Sequence, residues 1–388
     1  MPPRTYVALC RSARVVCALR GHSRWSSQDT HACLEAWRTD TLSFPRAAPC
    51  ALHPPRFRLN PRPRLQLMYS EKVPSVPRKL CALKVYSKAF VHAEDMVQCV
   101  RIERDMLTML AACPFIVRLY SSRMDHNNLV LALEMLQGGE LAAFIDRKAK
   151  STDTHKTLGY GFAFPADWVR YYTAAMLCGL ASVHRTGGIY RDLKPENVLL
   201  AADGSPRMVD FGFSRFLKEG ERATTLAGSL EYLAPEMCRE ESYGVGVDWW
   251  CLGIFVYKMA TGKTPFWHRD DAGVRKNIAD YVKGDFKIEF IKGWDPALRA
   301  LVLMLLDPSM EVRNAMTPSK VASHPFFRGF EWRRLLAGEL KPPYVPVLDD
   351  EEDLTYINTS YIEHMQEQVE RLTSQDPSPE AVAAFADF

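Results

Sequence analysis

The chain has 388 residues, of which 49 are basic and 46 acidic, and its formal net charge of +3 is far from the strongly basic profile of a dedicated nucleic-acid binder. Its ten cysteines include no C-x-x-C pair, which argues against a zinc site and a disulfide framework and favours reduced, intracellular thiols. No apolar run reaches the roughly 18 residues of a membrane span, so we expect a soluble protein with about two to three domains' worth of core.

Residues 1–63 differ in composition from the rest of the chain. Up to and including Arg64 there are eleven arginines, three acids and no lysine, with many serines and prolines. Mitochondrial transit peptides share this bias, but Pro2, Pro3 and the proline cluster within 54–63 would break the amphipathic helix that import uses. We interpret 1–63 as a disordered basic arm, or as a start foreign to the working protein, with a transit peptide as the less favoured alternative.

The next segments predict a small unit rich in β-strands. Alternation over 64–68 indicates a short strand, and the apolar run 80–86 indicates a second strand that is interrupted by one lysine, Lys84. Apolar residues then recur at helical spacing within 101–110, which predicts a helix that carries Glu103. A lysine in an apolar strand is often simply solvated, but a glutamate on the following helix could pair with it.

A longer helical region follows. The run 129–136 predicts a buried strand, and the polar, glycine-containing stretch 151–161 predicts a surface loop. Aromatic and apolar residues then cover several faces of a helix over about 166–184. A helix that is apolar on several faces is buried, so this one should be central to the larger part of the protein.

Charged and amide side chains are concentrated between short apolar pairs in the stretch IYRDLKPENVLL. They are Arg191, Asp192, Lys194, Glu196 and Asn197. Asp210, in the D-F-G tripeptide that follows, is a costly carboxylate unless it is paired or metal-bound. Asp192 can accept a proton, Lys194 can neutralise oxyanions, and Asn197 with Asp210 offers the oxygen ligands that Mg²⁺ prefers. A polar surface loop is the plain alternative, but the combined spacing favours phosphoryl transfer.

These motifs resemble those of the protein kinases, in which H-R-D-L-x-x-x-N precedes D-F-G. Tyr190 stands at the histidine position, which is typical of the AGC group, and the resemblance is nearest to the catalytic subunits of cyclic-AMP-dependent protein kinases. It extends over about 80–388. It implies an α+β, two-lobed protein-kinase fold with a small β-rich lobe at 64–136, a large mainly helical lobe at 137–330 and an extended AGC-type tail at 331–388.

The resemblance implies catalytic roles for five matching residues. Asp192 would accept or orient the proton of the substrate hydroxyl, and Lys194 would stabilise the transferring phosphate. Asn197 and Asp210 would hold Mg²⁺. Ser229 matches the hydroxyl that bonds both Asp192 and Lys194, and a serine there favours hydroxyl over phenol substrates.

The resemblance also implies an ATP site between the lobes. Lys84 would grip the α- and β-phosphates, and Glu103 is preferred over Glu94 as its partner because an acid at a helix start has a capping role of its own. Ala82 and Leu199 would enclose the adenine, although plain core packing explains these two equally well. The other matched positions are Leu133 as gatekeeper, the backbone of Glu134 and Leu136, and Glu140.

Two threonines are candidate activation-loop phosphosites. They are Thr224 and Thr225, and alignment to G-S-x-E-Y favours Thr225. Arg191 would clamp the phosphate, with Arg215 as a second donor. The loop is two residues longer than in the nearest relatives, and Cys99 stands where they have a histidine, so a weaker clamp is expected.

Further matches predict structural contacts. Asp248 should brace the catalytic loop from below, and Glu236 of the A-P-E motif should form a buried ion pair with Arg313. At the C-terminus, the F-x-x-F sequence should dock on the small lobe beside the helix that carries Glu103. The residues matched in the tail are Phe385, Phe388 and Tyr356, of which Tyr356 corresponds to an aromatic at the adenine edge.

The glycine-rich hairpin that covers ATP phosphates in kinases is not found. There is no glycine between Gly21 and Gly138, and the expected position, roughly twenty residues before Lys84, reads NPRPRLQLM. Either ATP binding is impaired or the true upstream segment is absent, and the change in composition near Arg64 favours the second. An ATP- and Mg²⁺-dependent serine/threonine kinase is therefore expected, with a pseudokinase that acts as a binding module as the alternative.

The resemblance also predicts partners. Glu140 and Glu196 match acids that receive a basic residue, so protein substrates with Arg or Lys at about −3 from the phosphorylated Ser/Thr are expected. A separate regulatory subunit with an Arg-rich inhibitory segment is implied, and Thr225 would be modified by an upstream kinase or by autophosphorylation. A cytoplasmic location is expected, with the nucleus as an alternative.

Overall fold

The computed structural model describes residues 7–9, 64–69, 80–151, 163–351, 353–357, 377–386 and 388. The chain has an α+β architecture, in which a small lobe built on one sheet precedes a large lobe made mainly of helices. This confirms the predicted fold class. Within the described residues no helix has both the length and the apolar character needed to cross a membrane.

Among the described residues, five strands and two helices make up the small lobe. They are β1 (Val7–Leu9), β2 (Arg64–Tyr69), β3 (Leu80–Ser87), α1 (Lys88–Ala93), α2 (Val97–Met109), β4 (Leu119–Met124) and β5 (Asn128–Glu134). The strands lie in the order β1-β2-β3-β5-β4, with β1 parallel to β2 and the other neighbours antiparallel. In this register Lys84 of the central strand β3 lies between Leu65 and Leu131, so its backbone is fixed on both sides.

The strand predicted at 64–68 is confirmed as β2. One feature departs from the expectation of disorder in 1–63: the apolar residues of β1 add a parallel strand to the open edge of β2. The rest of 1–63 lies outside the described residues, as does 70–79 between β2 and β3. The stretch NPRPRLQLM, at the position expected for the glycine hairpin, therefore supplies most of β2.

The large lobe begins after β5. Its strands are β6 (Gly139–Glu140), β7 (Gly188–Ile189), β8 (Val198–Leu200), β9 (Pro206–Met208) and β10 (Arg215–Phe216). Its helices are α3 (Leu141–Ser151), α4 (Ala166–Arg185), α5 (Pro235–Cys238), α6 (Gly246–Thr261), α7 (Asp271–Lys283), α8 (Pro296–Leu305), α9 (Met310–Asn314), α10 (Pro318–Ala322), α11 (Trp332–Leu336) and, in the tail, α12 (Pro379–Ala383). Most of the predicted loop 151–161 lies outside the described residues.

The core of the large lobe is formed by α4 and α6. From Tyr171 to Val183 every residue of α4 is buried, which confirms that this is the central helix. Helix α6 packs against it and is buried along nearly its whole length, because α8 and α9 cover its other faces. Helix α6 ends at Gly262, whose φ of 79° is a left-handed conformation that glycine adopts without strain. This core supports the two short sheets β6-β8-β9 and β7-β10, which carry the candidate site.

The ion pair predicted between Glu236 and Arg313 is confirmed. Both residues are completely buried, and Arg313 Nη2 donates to Glu236 Oε2. The same guanidinium donates to the carbonyl oxygens of Gly246 and Asp307 and lies 5.2 Å from the ring centre of Trp250. The pair thus joins α5, α6 and α9, and its place in the core marks it as structural.

Candidate active site between the two lobes

Lys84 is held by two carboxylates from different parts of the chain. Its Nζ lies 2.6 Å from Glu103 Oε1 on α2 and 2.9 Å from Asp210 Oδ1 of the D-F-G motif. The side chain of Lys84 is only 2% exposed, so these are ion pairs in a largely desolvated site. The predicted pairing with Glu103 rather than Glu94 is confirmed, and it links β3, α2 and the large lobe.

Glu103 has two further partners, and one of them, Tyr86, was not predicted from the sequence. The Tyr86 hydroxyl donates to Glu103 Oε2, while the backbone N–H of Phe211 donates to Oε1 at 3.3 Å. Tyr86 stands two residues after Lys84 in β3, and residues two apart in a strand face the same side. This two-residue spacing is the feature of the sequence that could have predicted the contact between Tyr86 and Glu103. Both oxygens of Glu103 are therefore engaged, and α2 is fixed against the sheet.

Three polar side chains contact the carboxylate of Asp192. Lys194 Nζ lies 2.7 Å from Asp192 Oδ2, and Asn197 Nδ2 donates to the same oxygen at 2.6 Å. Ser229 Oγ donates to Asp192 Oδ1 at 3.1 Å and accepts from Lys194 Nζ at 2.6 Å. The predicted bonds of Ser229 to both partners are confirmed. The carboxylate, the ammonium and the hydroxyl thus form one network, in which Asp192 is fully buried.

Asp248 holds the catalytic loop by its backbone. Asp248 Oδ1 accepts from Arg191 N at 2.7 Å, and Oδ2 accepts from Tyr190 N at 3.0 Å. The predicted brace is confirmed, and it carries a further partner, because His184 Nε2 lies 2.8 Å from Oδ2. Arg191 has a φ of 71°, a conformation that costs a non-glycine residue about 1 kcal/mol or more. The two bonds to Asp248 stabilise this turn.

The electrostatics of the two aspartates differ. Burial raises the pKa of Asp192, and the charge of Lys194 offsets this only in part. Burial acts in the same direction on Asp210, but there the charge and hydrogen bond of Lys84 prevail and the pKa of Asp210 is lowered. Asp210 is therefore ionised at neutral pH, whereas Asp192 holds a proton more readily than a free aspartate. The site therefore contains one carboxylate suited to binding a cation, Asp210, and one suited to proton transfer, Asp192.

The geometry fits a divalent cation at Asn197 and Asp210. Asn197 is fixed by bonds from its Nδ2 to the Asp192 backbone oxygen at 2.9 Å and to the Asp192 carboxylate, which leaves its amide oxygen as the ligand atom. Asp210 is ionised and has a φ of 61°, which turns the D-F-G segment sharply. Hard oxygen donors of this kind suit Mg²⁺.

The residues matched to the adenine site lie at the junction of the lobes. Ala82 is buried and stands opposite Leu133 in the sheet register, and Leu136 follows at the end of β5. On the large-lobe side, Leu199 pairs with Glu140 between β8 and β6. The side chain of Glu134, whose backbone is matched to adenine, lies 3.4 Å from Arg207. These contacts place the matched residues on both walls of the interlobe region.

The tail reaches the same junction. The backbone of Tyr356 packs so closely on Gly139 that a Cβ there would lie 2.5 Å from the Tyr356 oxygen. Gln137 Nε2 donates to the Asp353 oxygen at 3.0 Å, and the Tyr356 ring centre lies 5.4 Å from the Arg147 guanidinium. The tail therefore returns to the junction of the lobes, while the place of Tyr356 at the adenine edge stays a prediction.

The aromatic C-terminus docks beside α2, as predicted. Phe385 is completely buried, and Arg101 of α2 donates to the Ala384 oxygen at 2.7 Å. The Arg104 guanidinium lies 4.9 Å from the ring centre of Phe388. The helix that positions Glu103 is thus supported from its outer side by the tail.

The activation segment is anchored on Arg191. Arg191 Nη1 donates to Thr225 Oγ1 at 2.9 Å and to the Tyr243 hydroxyl at 2.9 Å, and Tyr243 in turn donates to the Thr225 oxygen. Arg215, expected as a second donor to a phosphate at Thr225, instead pairs with Glu221 at 2.7 Å. Of the two arginines, Arg191 is the one for which the structure shows a contact with Thr225.

The two acids matched to substrate recognition are not equivalent. Glu196 Oε1 lies 2.8 Å from Lys258 Nζ on α6, so a lysine of the chain itself occupies the carboxylate that was expected to meet a basic substrate residue. Glu140 lies in β6, where it pairs with Leu199 of β8. Lys258 and Glu196 are 62 residues apart in the sequence, and no local sequence pattern predicts their contact.

Comparison with known proteins agrees with this geometry. Residues 73–327 match the family described as protein kinase domain. The chain is 35% identical over 279 residues to the serine/threonine-protein kinase YPK2/YKR2 of Saccharomyces cerevisiae, covering 71% of this chain and 38% of the relative. It is 33% identical over 270 residues to a cAMP-dependent protein kinase, catalytic subunit-like, of Caenorhabditis elegans, covering 69% of this chain and 63% of the relative.

A RAC family serine/threonine-protein kinase homolog of Dictyostelium discoideum is 34% identical over 279 residues, covering 71% of this chain and 58% of the relative. The chain spans less than two thirds of the length of each of these three relatives. The family match covers the catalytic network, the lysine pair and the A-P-E ion pair described above. The chain therefore belongs to the protein kinase domain family and, within it, to the AGC group of serine/threonine kinases.

Proposed function

We propose that this protein transfers the γ-phosphate of ATP to serine or threonine hydroxyls of protein substrates. The observation that carries the proposal is the network in which Asp192, Lys194 and Ser229 are all within 3.1 Å of one another. It places a carboxylate that can take a proton beside an ammonium that can stabilise phosphate oxygens. Asp210, held by Lys84, lies at the other side of the same site.

The reaction assigns one task to each group. Asp192 takes or orients the proton of the attacking hydroxyl, while the new O–P bond forms and the bond between the γ-phosphorus and the bridging oxygen breaks. Lys194 stabilises the oxygens of the transferring group, and Lys84 holds the α- and β-phosphates of the ADP that leaves. When bound at Asn197 and Asp210, Mg²⁺ would neutralise phosphate charge.

The test uses purified protein with Mg²⁺-ATP and a basic peptide. Phosphate incorporation that is lost in Asp192→Asn is expected, since the amide cannot accept the proton. Asp167→Asn is the control, because the Asp167 side chain is 84% exposed and lies outside the site. Phosphate incorporation that survives Asp192→Asn at the wild-type rate would overturn the proposal.

A pseudokinase remains the second candidate because the residues preceding β3 include no glycine hairpin. Residues 64–68 of the NPRPRLQLM segment lie in strand β2, and bulky residues stand in this segment at the position expected for glycines. If Mg²⁺-ATP raises the melting temperature of the protein but no phosphate is transferred, the protein is a pseudokinase. ATP binding that is weakened by Lys84→Met identifies the same site in either case.

The preference for a basic residue at about −3 is a further part of the proposal. The matched acid Glu140 supports it by the resemblance, and the other matched acid, Glu196, pairs with Lys258. If the peptides phosphorylated from a random library show no enrichment of arginine or lysine at any position, this claim is refuted.

Control by phosphorylation of Thr225 and by a separate inhibitory subunit with an Arg-rich segment is proposed on the same resemblance, with Arg191 as the phosphate ligand.

A further inference from the structure

We propose that Lys258 is a specificity-determining residue, which cancels the charge of Glu196 and makes its subsite select a neutral side chain over arginine or lysine. This inference rests on the proposed kinase function and concerns the same substrate groove. It extends the proposed function because the choice of substrate side chain is assigned to Lys258, a residue of α6 outside the motifs of the catalytic loop.

The first argument is the ion pair itself. Lys258 Nζ lies 2.8 Å from Glu196 Oε1, and the two side chains are 14% and 20% exposed. A pair this sheltered is weakly screened by water and salt. A substrate cation at Glu196 would have to share one carboxylate with a lysine that cannot move away without breaking this contact. Two like charges around one acid disfavour the basic substrate.

The second argument is the set of groups that line the subsite. Glu196 Oε2 and the Tyr232 hydroxyl are buried, and neither has a hydrogen-bond partner among the described residues. The Lys258 ammonium lies 6.0 Å from the Tyr232 ring centre, and burial, followed by the charge of Glu196, raises the pKa of the Tyr232 phenol. An acceptor oxygen and a hydroxyl are therefore without partners among the described residues, beside a carboxylate whose charge Lys258 offsets. Neutral hydrogen-bonding side chains such as Gln or Asn match this chemistry.

The third argument is the position of Glu196 itself. It lies in the 3₁₀ turn Pro195–Asn197, immediately before Asn197, whose amide holds Asp192. A substrate residue at Glu196 is thus a near neighbour of the phosphate acceptor. Specificity set there acts directly on how the acceptor hydroxyl is presented.

The experiment compares wild type with Lys258→Met and Lys258→Glu. Peptides carry a single arginine or glutamine at each position from five residues before the acceptor serine to two after it. We measure kcat/KM for these peptides, and the Kd of matched peptides with alanine at the acceptor. Lys263→Glu changes the net charge by the same amount as Lys258→Glu, at a position just beyond the end of α6. It is the control for the general effect of a more negative protein on the binding of basic peptides.

In the wild type, glutamine should be preferred over arginine by about threefold or more at the one position that meets Glu196. Lys258→Met should remove this preference, and Lys258→Glu should reverse it to favour arginine by about tenfold at that same position. Lys263→Glu should leave the positional profile unchanged. The double variant Glu196→Lys with Lys258→Glu restores a neutral pair and should again show no selection for arginine.

An unchanged positional profile in both Lys258 variants would overturn the inference, as would wild-type selection for arginine at the position that Lys258→Glu alters. The Kd series keeps the two proposals apart, because it reports the subsite even in a protein that transfers no phosphate. Peptide binding that responds to Lys258 without phosphate transfer refutes the proposed reaction alone. Melting temperatures show whether each variant is folded, and Lys258→Met, which keeps the apolar stem, guards against loss of packing.

Discussion

Tyr86 and Lys84 bind different oxygens of the same carboxylate, that of Glu103. The phenol donates to Oε2 and the ammonium to Oε1, from two positions on the same face of β3. The position of α2 therefore depends on two hydrogen bonds rather than on the ion pair alone. Because Lys84 also contacts Asp210, a shift of Glu103 would be transmitted to the D-F-G segment.

Tyr86→Phe is expected to lower kcat/KM for ATP about tenfold, since a hydrogen bond to a charged group contributes about 1.5 kcal/mol. The measurement is the initial rate at varied ATP. Tyr172→Phe is the matched control, because Tyr172 is equally buried and its hydroxyl has no partner in the described part of the chain. Equal rates for the two variants would contradict a positioning role for Tyr86.

The sequence was sufficient for contacts that lie within motifs or follow their spacing. Lys84 and Glu103 are 19 residues apart on adjoining elements, and the strand followed by an amphipathic helix places them face to face. Asp192, Lys194 and Asn197 lie within one short loop. Ser229 came from the family resemblance, and its bonds agree with it.

Contacts between distant, individually ordinary residues could not be predicted. Lys258 occurs on an otherwise buried helix, and its meeting with Glu196 depends on how α6 packs below the catalytic loop. Arg215 pairs with Glu221 in the activation loop, whose path the sequence does not determine, and its role at a phosphate on Thr225 stays a prediction. Both depend on tertiary packing rather than on local pattern.

Arg313→Met should destabilise the protein by about 3–5 kcal/mol, because it leaves Glu236 buried and unpaired. Chemical denaturation measures this loss. The control is Arg239→Met, since Arg239 pairs with Glu241 at the surface with side chains 46% and 49% exposed, where a pair contributes about 0–1 kcal/mol. Similar losses in the two variants would show that burial is not what makes the Glu236 pair important.

Thr225→Ala should reduce activity on the order of tenfold, because a phosphate at Thr225 would gain charge-assisted bonds from Arg191. Mass spectrometry of active protein should find phosphate on Thr225. Thr224→Ala is the neighbouring control, since Thr224 is exposed. Phosphate on Thr224 alone, or full activity in Thr225→Ala, would refute the assignment.

The pH dependence follows from the raised pKa of Asp192. A base acts only when it has lost its proton, so kcat should fall as pH drops through this pKa, which lies above the ordinary value of 3.8. The charge of Lys194 lowers the pKa of Asp192, and Lys194→Met should therefore move the acidic limb of the rate profile to higher pH.

The control for this shift is Lys276→Met, which removes a surface lysine that pairs with Asp280 and does not contact Asp192. Its acidic limb should coincide with that of the wild type. A limb that moves to lower pH in Lys194→Met would have the wrong sign and would exclude Asp192 as the group that titrates.

Phe385→Ala tests the support that the tail gives to α2. The Phe385 ring is completely buried, and its removal should cost the docked state about 3–5 kcal/mol. Because Arg101 binds the Ala384 oxygen next to it, undocking would release the outer face of α2 and weaken the hold on Glu103. Amide hydrogen exchange in α2 should speed up and kcat should fall together. Val347→Ala, at a side chain that is 79% exposed, should change neither. Faster exchange in α2 with unchanged kcat would show that the docked tail stabilises the helix without positioning Glu103 for the reaction.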